Sequence, residues 1–208
     1  MRDSNRTTTD IIRSAEDTLK TAIEGLEDLD KGPQERKLSG LRNLVVFGRA
    51  VTNIIQNLRS KEPDFDTWYE KYQEEMKRDP LMKYFYELRS KILKEGVLKT
   101  STGIFIRQLK IPEDLGRLGP PPPNAKGFFV GDSLGGSGWE VQLPDSSTEK
   151  YYVEIPSDIA SVSVHFPDAP KYHLGKEIKD TSVPNLAKLY INYLRRLVAA
   201  AKEKFESE

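Results

Sequence analysis

A long helix with two unlike faces is predicted for residues 34–60, which read QERKLSGLRNLVVFGRAVTNIIQNLRS. At about 100° per residue, one arc collects large apolar side chains: Leu44, Phe47, Val51, Ile54, Ile55 and Leu58. The opposite arc collects guanidinium and amide groups: Arg42, Arg49, Asn53 and Gln56. Leu38, Val45 and Val46 lie among or beside these polar groups. A helix that is apolar on one face and mixed on the other is expected to be covered on both sides, so we expect the mixed face to be a binding site or an interface.

Length and composition exclude several classes of protein. A chain of 208 residues can bury a stable core in one large domain or two small ones. The absence of cysteine excludes disulfides, thiolate catalysis and cysteine-ligated zinc, and it is typical of a reducing compartment. No apolar run approaches the length of a membrane span, and residues 1–10 lack the hydrophobic stretch of a signal peptide. We therefore expect a cytoplasmic protein with no membrane role and no cofactor.

Charge is balanced over the whole chain but segregated along it. The 32 basic and 32 acidic residues cancel, so no global field favours nucleic acid. Residues 33–60 hold five basic residues against Glu35 alone, and residues 89–110 hold six against Glu95. Any nucleic-acid binding is therefore expected to depend on these two basic segments.

Hydrophobic spacing predicts helices in the first half of the chain and at its end. The predicted helices are residues 8–30, residues 34–60, a third from about residue 64 to Asp79, a fourth from Pro80 to Gly96, and residues 183–208. Asp79 is suited to cap the fourth helix with Pro80 at its first position, and Gly96 is typical of a helix end. The short connections between the first four helices indicate an antiparallel bundle.

Short runs rich in branched residues predict strands between Gly96 and the last helix. The predicted strands are residues 103–111, 127–130, 138–143, 150–155 and 161–166, with a hairpin turn at PDSST, residues 144–148. The proline-rich residues 116–127 are expected to form an exposed connector of polyproline type. The predicted fold class is α+β: a helical bundle over residues 1–98, a small antiparallel β-rich insertion over residues 99–182, and a C-terminal helix over residues 183–208 that packs back on the bundle.

Two helical segments share a short motif, an arginine followed by a small polar residue. In these segments the chain resembles the HEPN family of helical bundles, over about residues 8–96. Many members of that family are ribonucleases of prokaryotic defence and toxin systems, with a histidine a few positions after the polar residue. The resemblance gives the arginine role to Arg42 or Arg89, the polar role to Asn43 or Ser90, and the histidine position to Phe47 or Lys94. Because neither of the last two is histidine, the general acid/base group is missing, and the resemblance implies a HEPN-like protein that is not a competent ribonuclease.

The mixed face of helix 34–60 is interpreted as an assembly and binding surface. Asn53, Gln56 and Asn57 are mediocre helix formers, so a face that is merely solvated would have better residues available. Solvation or pairing with carboxylates remains the alternative for the arginines. A homodimer would bring two copies of Arg42 and Arg49 into one groove able to hold a phosphate. The predicted binding residues for RNA or a nucleotide are Arg42, Asn43, Arg49, Asn53, Gln56, Arg89 and Lys94.

Two other functional classes remain open. The sheet and the proline-rich connector would present a surface to a partner protein if the bundle served only to dimerise the chain. His165, His173 and Asp168 have the residue types of a metal-dependent hydrolase, although such histidines in a polar chain are more often surface or capping residues. The glycine-rich residues 131–138, GDSLGGSG, lack the Lys-Ser/Thr of a P-loop and are expected to form a flexible hairpin loop.

Aromatic residues crowd the third and fourth helices: Trp68, Tyr69, Tyr72, Tyr84, Phe85 and Tyr86. Some of them are placed to stack on bases beside Lys83 and Arg89. At helical spacing, packing in the core and at an interface is their expected role.

Overall fold

The structure is a computed structural model that describes residues 6–107 and 113–206. It confirms the predicted α+β class, with long helices and small antiparallel sheets. The chain divides into two compact units. The helical unit contains the residues up to Leu98 together with those from Ala169 onward, and the β-rich unit contains Lys99–Asp168.

The first two helices of the helical unit form an antiparallel pair. Helix α1 spans Thr8–Lys31, and helix α2 spans Gln34–Ile55 before continuing as the 3-10 helix Gln56–Ser60. Their backbones touch at two glycines, because a Cβ atom placed on Gly25 would lie 2.6 Å from the carbonyl oxygen of Gly40. The helices approach so closely here that neither Gly25 nor Gly40 has room for a side chain. Helix α1 therefore covers one side of α2.

Three further helices complete this unit: α3 at Phe65–Arg78, α4 at Pro80–Glu95 and α6 at Val183–Glu206. Asp79 caps α4 as predicted, since its carboxylate accepts a hydrogen bond from the backbone N–H of Met82. Gly96 ends α4 in the left-handed conformation, with φ of 67°, as expected for a glycine stop. Lys188 and Lys202 of α6 form ion pairs with Asp30 and Glu16 of α1, so these two helices run antiparallel.

The strands of the β-rich unit are β1 at Ser101–Ile106, β2 at Ala125–Phe129, β3 at Gly138–Gln142, β4 at Thr148–Tyr152 and β5 at Ala160–His165, with the short helix α5 at Glu113–Arg117. The single predicted sheet is instead two separate antiparallel sheets, β1–β5 and β2–β3–β4. The hairpin between β3 and β4 is confirmed, with Glu140 opposite Lys150. Residues 108–111 of the first predicted strand lie outside the described residues.

A short hairpin follows the β-rich unit, with β6 at Tyr172–His173 and β7 at Lys176–Glu177. The sequence analysis assigned residues 169–182 to the insertion, whereas this hairpin packs with the helices. Asp79 provides the physical reason, because its carboxylate accepts a hydrogen bond of 2.6 Å from the backbone N–H of Leu174. None of the described helices combines the length and hydropathy needed to cross a bilayer.

Candidate functional site

Helix α2 is packed on some sides and open on others, and this divides its polar residues into two groups. Gly48 lies against α6, where an added Cβ would come within 2.6 Å of Cε1 of Tyr190. The buried side chains of α2 are Leu41, Leu44, Val45, Val51, Thr52 and Ile55. The predicted mixed face therefore splits into a flank with Arg42, Arg49 and Gln56, which are half-buried, and an open face with Asn43 and Asn53, which are exposed.

Two apolar positions of α2 differ from their predicted places. Val45, predicted to lie beside the polar groups, is fully buried, and Phe47, predicted for the apolar arc, is 38% exposed. The cause is the close approach of neighbouring helices at Gly40 and Gly48. Because glycines let α1 and α6 come nearest, they turn the buried arc of the helix away from Phe47.

A half-enclosed pocket of about 400 Å³ lies beside the Arg49 flank, within the range of small-molecule sites. Its lining comes from α2, α3, α4 and α6 and combines a guanidinium, amides, thioethers and aromatic rings: Arg49, Thr52, Gln56, Tyr69, Gln73, Met76, Lys77, Met82, Lys83, Tyr86, Glu87 and Tyr190. All of these residues belong to the helical unit. We call this cavity the Arg49 pocket.

Arg49 is the basic group of the pocket that lies deepest among the helices. Its guanidinium donates to the hydroxyl of Thr52 and lies 5.3 Å from the ring centroid of Tyr86. Among the described residues, no carboxylate oxygen lies within ion-pair distance of it. A guanidinium that is half withdrawn from water and held only by a hydroxyl and a ring keeps donors available for an anion.

Two tyrosines of the pocket, Tyr69 and Tyr190, are held in their neutral form. Burial raises the pKa of Tyr69 and of Tyr190, and the nearby positive charge of Arg49 only partly opposes this effect. Tyr190 is fixed by a parallel stack on Phe85, with ring centroids 4.3 Å apart, and Tyr86 stands 55% exposed. The buried part of the pocket therefore presents the guanidinium of Arg49, uncharged hydroxyl groups and aromatic faces, while Lys77, Lys83 and Glu87 are exposed parts of its lining.

The other predicted binding residues lie elsewhere on the helical unit. Arg42 donates from Nη2 to the carbonyl oxygen of Gly96 over 2.9 Å. The Nε atoms of Arg42 and Arg89 are buried and have no hydrogen-bond partner among the described residues. Lys94 is exposed in the last turn of α4, and Lys110, which belonged to the second basic segment, lies outside the described residues. Of the seven predicted residues, Arg49 and Gln56 line the pocket.

Sequence reasoning missed several lining residues that come from distant parts of the chain. Gln73 and Met76 belong to α3, Met82 belongs to α4, and Tyr190 arrives from α6. A pattern within one helix cannot show which flank of another helix faces it. The sequence signal that could have located these residues was the aromatic cluster of the third and fourth helices. Two of its members, Tyr69 and Phe85, are buried in the core.

The residues of the proposed metal site are not grouped by the structure. His165 and Asp168 belong to the β-rich unit, whereas His173 belongs to the helical unit. The His165 ring hydrogen-bonds with Ser163, and Nδ1 of His173 lies 3.1 Å from Oδ1 of Asp79. Within residues 6–107 and 113–206, no cluster of three or more histidines and carboxylates is suited to hold a metal ion.

The glycine-rich segment forms the loop between β2 and β3, as predicted, and its own carboxylate organises it. Asp132 accepts hydrogen bonds from the backbone N–H groups of Leu134 and Gly136 and from the hydroxyl of Tyr152. These two amides are therefore satisfied within the loop and are not available to an external anion.

One protein family matches part of the chain. The sequence model of the family described as bacteriophage lambda protein ea47 matches residues 27–111, a segment that includes all of α2, α3 and α4. The HEPN resemblance is therefore wrong, since the helices that carried it match this phage family and no HEPN family. No curated protein matches the chain significantly, and no solved structure does so either. The similarity to the ea47 family thus covers less than half of the 208 residues, with most of the Arg49 pocket inside it.

Proposed function

We propose that the helical unit binds a mononucleotide in the Arg49 pocket. The observation that carries this proposal is the half-buried guanidinium of Arg49, which lacks a carboxylate partner among the described residues and opens into a cavity of about 400 Å³. A ligand for such a site needs an anionic group and a flat, largely apolar body. A nucleotide combines both, and the cytoplasm, where nucleotides are abundant, is the compartment that this proposal requires.

Arg49 is the proposed phosphate ligand. A guanidinium binds phosphate through two parallel N–H donors, and the bond strengthens where water is partly excluded. Lys83 lines the rim and is exposed, while Lys77 there is paired with Glu74 over 3.0 Å. The phosphate is therefore expected to take its main contact from Arg49 and secondary, salt-sensitive attraction from Lys83.

The remaining lining suits a nucleobase. The exposed ring of Tyr86 offers a stacking face, which typically contributes about 1–3 kcal/mol per base. Met76 and Met82 fill the apolar wall with adaptable thioethers. The amides of Gln56 and Gln73 provide donors and acceptors for base edges. Because the cavity is half-enclosed and not an extended groove, it favours one nucleotide over a polymeric RNA strand.

Tryptophan emission provides a direct test. The ring centroid of Trp68 on α3 lies 4.9 Å from that of Tyr72 and 6.2 Å from that of Tyr69. Tyr69 lines the pocket. The chain has one other tryptophan, Trp139, so the Trp139→Phe variant reports from Trp68 alone. Titration with AMP, GMP, CMP and UMP in low-salt buffer should give saturable changes in emission, and the thermal midpoint should rise with nucleotide concentration.

The Arg49→Ala substitution identifies the anion contact. Loss of a charged hydrogen bond should weaken nucleotide binding by about 10- to 100-fold. The matched control is Arg195→Ala, since Arg195 is exposed on α6 and, within the part of the chain that the structure describes, donates only to Asn192. Equal binding in the two arginine variants, or no saturable binding of any mononucleotide, would refute the proposal. Tighter binding of oligoribonucleotides than of mononucleotides would assign the site to RNA instead.

A further inference from the structure

The open face of α2 has an unusual composition. Eight side chains on it and on the 3-10 helix that continues it are exposed or half-buried: Ser39, Asn43, Val46, Phe47, Ala50, Asn53, Ile54 and Asn57. None of them is charged, although charged residues make up 31% of the sequence. The two charged residues in this stretch, Arg42 and Arg49, lie on the flank and contact Gly96 and Thr52. Between Ser39 and Asn57 the face is therefore a continuous uncharged strip, whereas Glu35 and Arg36 are exposed in the first turn of the helix.

Charge decides which partner fits this strip. A nucleic acid or an acidic membrane needs basic residues, and the strip has none. A strongly charged protein surface would lose water from its own charges without gaining partners. An uncharged strip with amides at intervals is matched by another surface of the same kind, because an amide both donates and accepts hydrogen bonds. A second copy of the chain carries such a surface.

Two pairs of positions in the strip carry similar residues on either side of Ala50, although Phe47 and Asn53, three positions away from it, differ. Seven positions before and after it stand Asn43 and Asn57, and four positions before and after it stand Val46 and Ile54. Two helices crossing antiparallel at Ala50 would therefore place like side chains opposite each other. A two-fold interface requires a surface that is complementary to itself, because each contact occurs twice, and these pairs match apolar with apolar and amide with amide.

We propose that two copies of this chain associate through α2, antiparallel, about a two-fold axis at Ala50. Val46 of each copy packs on Ile54 of the other, and Asn43 hydrogen-bonds with Asn57. The small side chain of Ala50 at the crossing point allows the two helices to approach closely. The side chain of Phe47, which is 38% exposed, is covered by apolar groups of the other copy. Residues 43–57 span about 21 Å at helical rise, which is four turns of contact. The proposal does not depend on the Arg49 pocket being a nucleotide site.

Cysteine cross-linking tests the two-fold axis directly, because the chain has no cysteine of its own. Helix axes about 8–10 Å apart, with Cα atoms about 2.3 Å from each axis, bring the two Ala50 Cα atoms about 3.4–5.4 Å apart, and the upper part of this range suits a disulfide. The Ala50→Cys variant should therefore oxidise to a covalent dimer at least about ten-fold faster than Ala199→Cys. Ala199 is the matched control, since it is an exposed alanine on α6.

Charge pairs test the antiparallel register. The Asn43→Lys, Asn57→Glu double variant puts unlike charges opposite each other in the antiparallel dimer and like charges in a parallel one. The Asn43→Lys, Asn57→Lys variant repels in both arrangements. Light scattering after gel filtration at micromolar protein should show a dimer for the unmodified chain and the first variant and a monomer for the second. A monomeric unmodified chain, a monomeric first variant, or equal cross-linking at positions 50 and 199 would each overturn the proposal.

Discussion

The buried carboxylate of Asp79 connects two parts of the helical unit. Its Oδ1 accepts from the backbone N–H of Met82 at the start of α4, and its Oδ2 accepts from the N–H of Leu174 in the loop between β6 and β7. The His173 ring approaches the same Oδ1 at 3.1 Å. The sequence analysis identified Asp79 as a helix cap, and the structure adds that this cap also holds the hairpin after the β-rich unit.

The environment of Asp79 predicts a dependence of stability on pH. Burial opposes ionisation of its carboxyl group, but hydrogen bonds from His173, Leu174 and Met82 outweigh burial and lower its pKa below the usual value. A lowered folded-state pKa contributes stability that is present above the unfolded-state pKa of about 3.9. That contribution is lost as the pH falls through the lower, folded-state value.

Urea unfolding of the Asp79→Asn variant measures this contribution. Asparagine keeps the shape of the side chain but loses the charged acceptors, so the variant should be less stable by about 1–3 kcal/mol at pH 7. The difference should shrink as the pH falls below about 4, because Asp79 is then protonated in the unfolded state while the folded state still holds it ionised. A difference that stays constant down to pH 3 would contradict the role of ionised Asp79.

At the scale of elements, close contact between α1 and α2 depends on glycine. A Cβ atom on Gly40 would lie 2.7 Å from the carbonyl oxygen of Gly25 and 2.7 Å from Cβ of Asp28. One of these neighbours is backbone, which cannot rotate away. The two helices would have to separate along their shared length to accommodate any side chain at this position.

We expect the Gly40→Ala variant to be destabilised by about 1–3 kcal/mol through overpacking. Alanine favours the helix by about 1 kcal/mol over glycine, so a net loss shows that the contact outweighs propensity. Gly116 in α5 is the matched control, because an added Cβ there meets nothing within 4 Å. Chemical unfolding of both variants decides the matter, and equal stability changes would show that α1 and α2 do not pack this closely.

The long helices were predictable from sequence because each repeats an apolar pattern over several turns. The Asp79-Pro80 cap and the Gly96 stop were predictable because each residue has a local chemical role. Strands β6 and β7 were not, since two-residue strands are too short to show alternation. The orientation of α2 was only partly predictable, because adjacent Val45 and Val46 suit either flank and the glycine contacts that choose between them involve other helices.

At the scale of the whole molecule, the helical unit is assembled from two segments distant in sequence. Helix α6 supplies several fully buried core residues, among them Leu186, Ile191 and Leu194. The ion pairs of Lys188 and Lys202 with α1 are largely exposed and are worth little individually. The attachment of α6 therefore depends on apolar burial, at about 25 cal/mol per Å², and the first 98 residues lack part of their own core.

This division predicts that the helical unit folds without the β-rich unit. Helix α4 has 16 residues and is therefore about 24 Å long. Residue 98 follows the C-terminal end of α4, whereas His173 lies beside Asp79 at the N-terminal end of the same helix. A 20-residue Gly/Ser linker spans about 25 Å on average and should replace residues 99–168 without strain.

Circular dichroism of this variant should show retained helices and one cooperative thermal transition, with Trp68 as its sole tryptophan. Residues 1–98 alone, the matched control, should unfold without cooperativity because α6 is missing, and a deletion variant that behaves like this control would show that the helical unit requires residues 99–168.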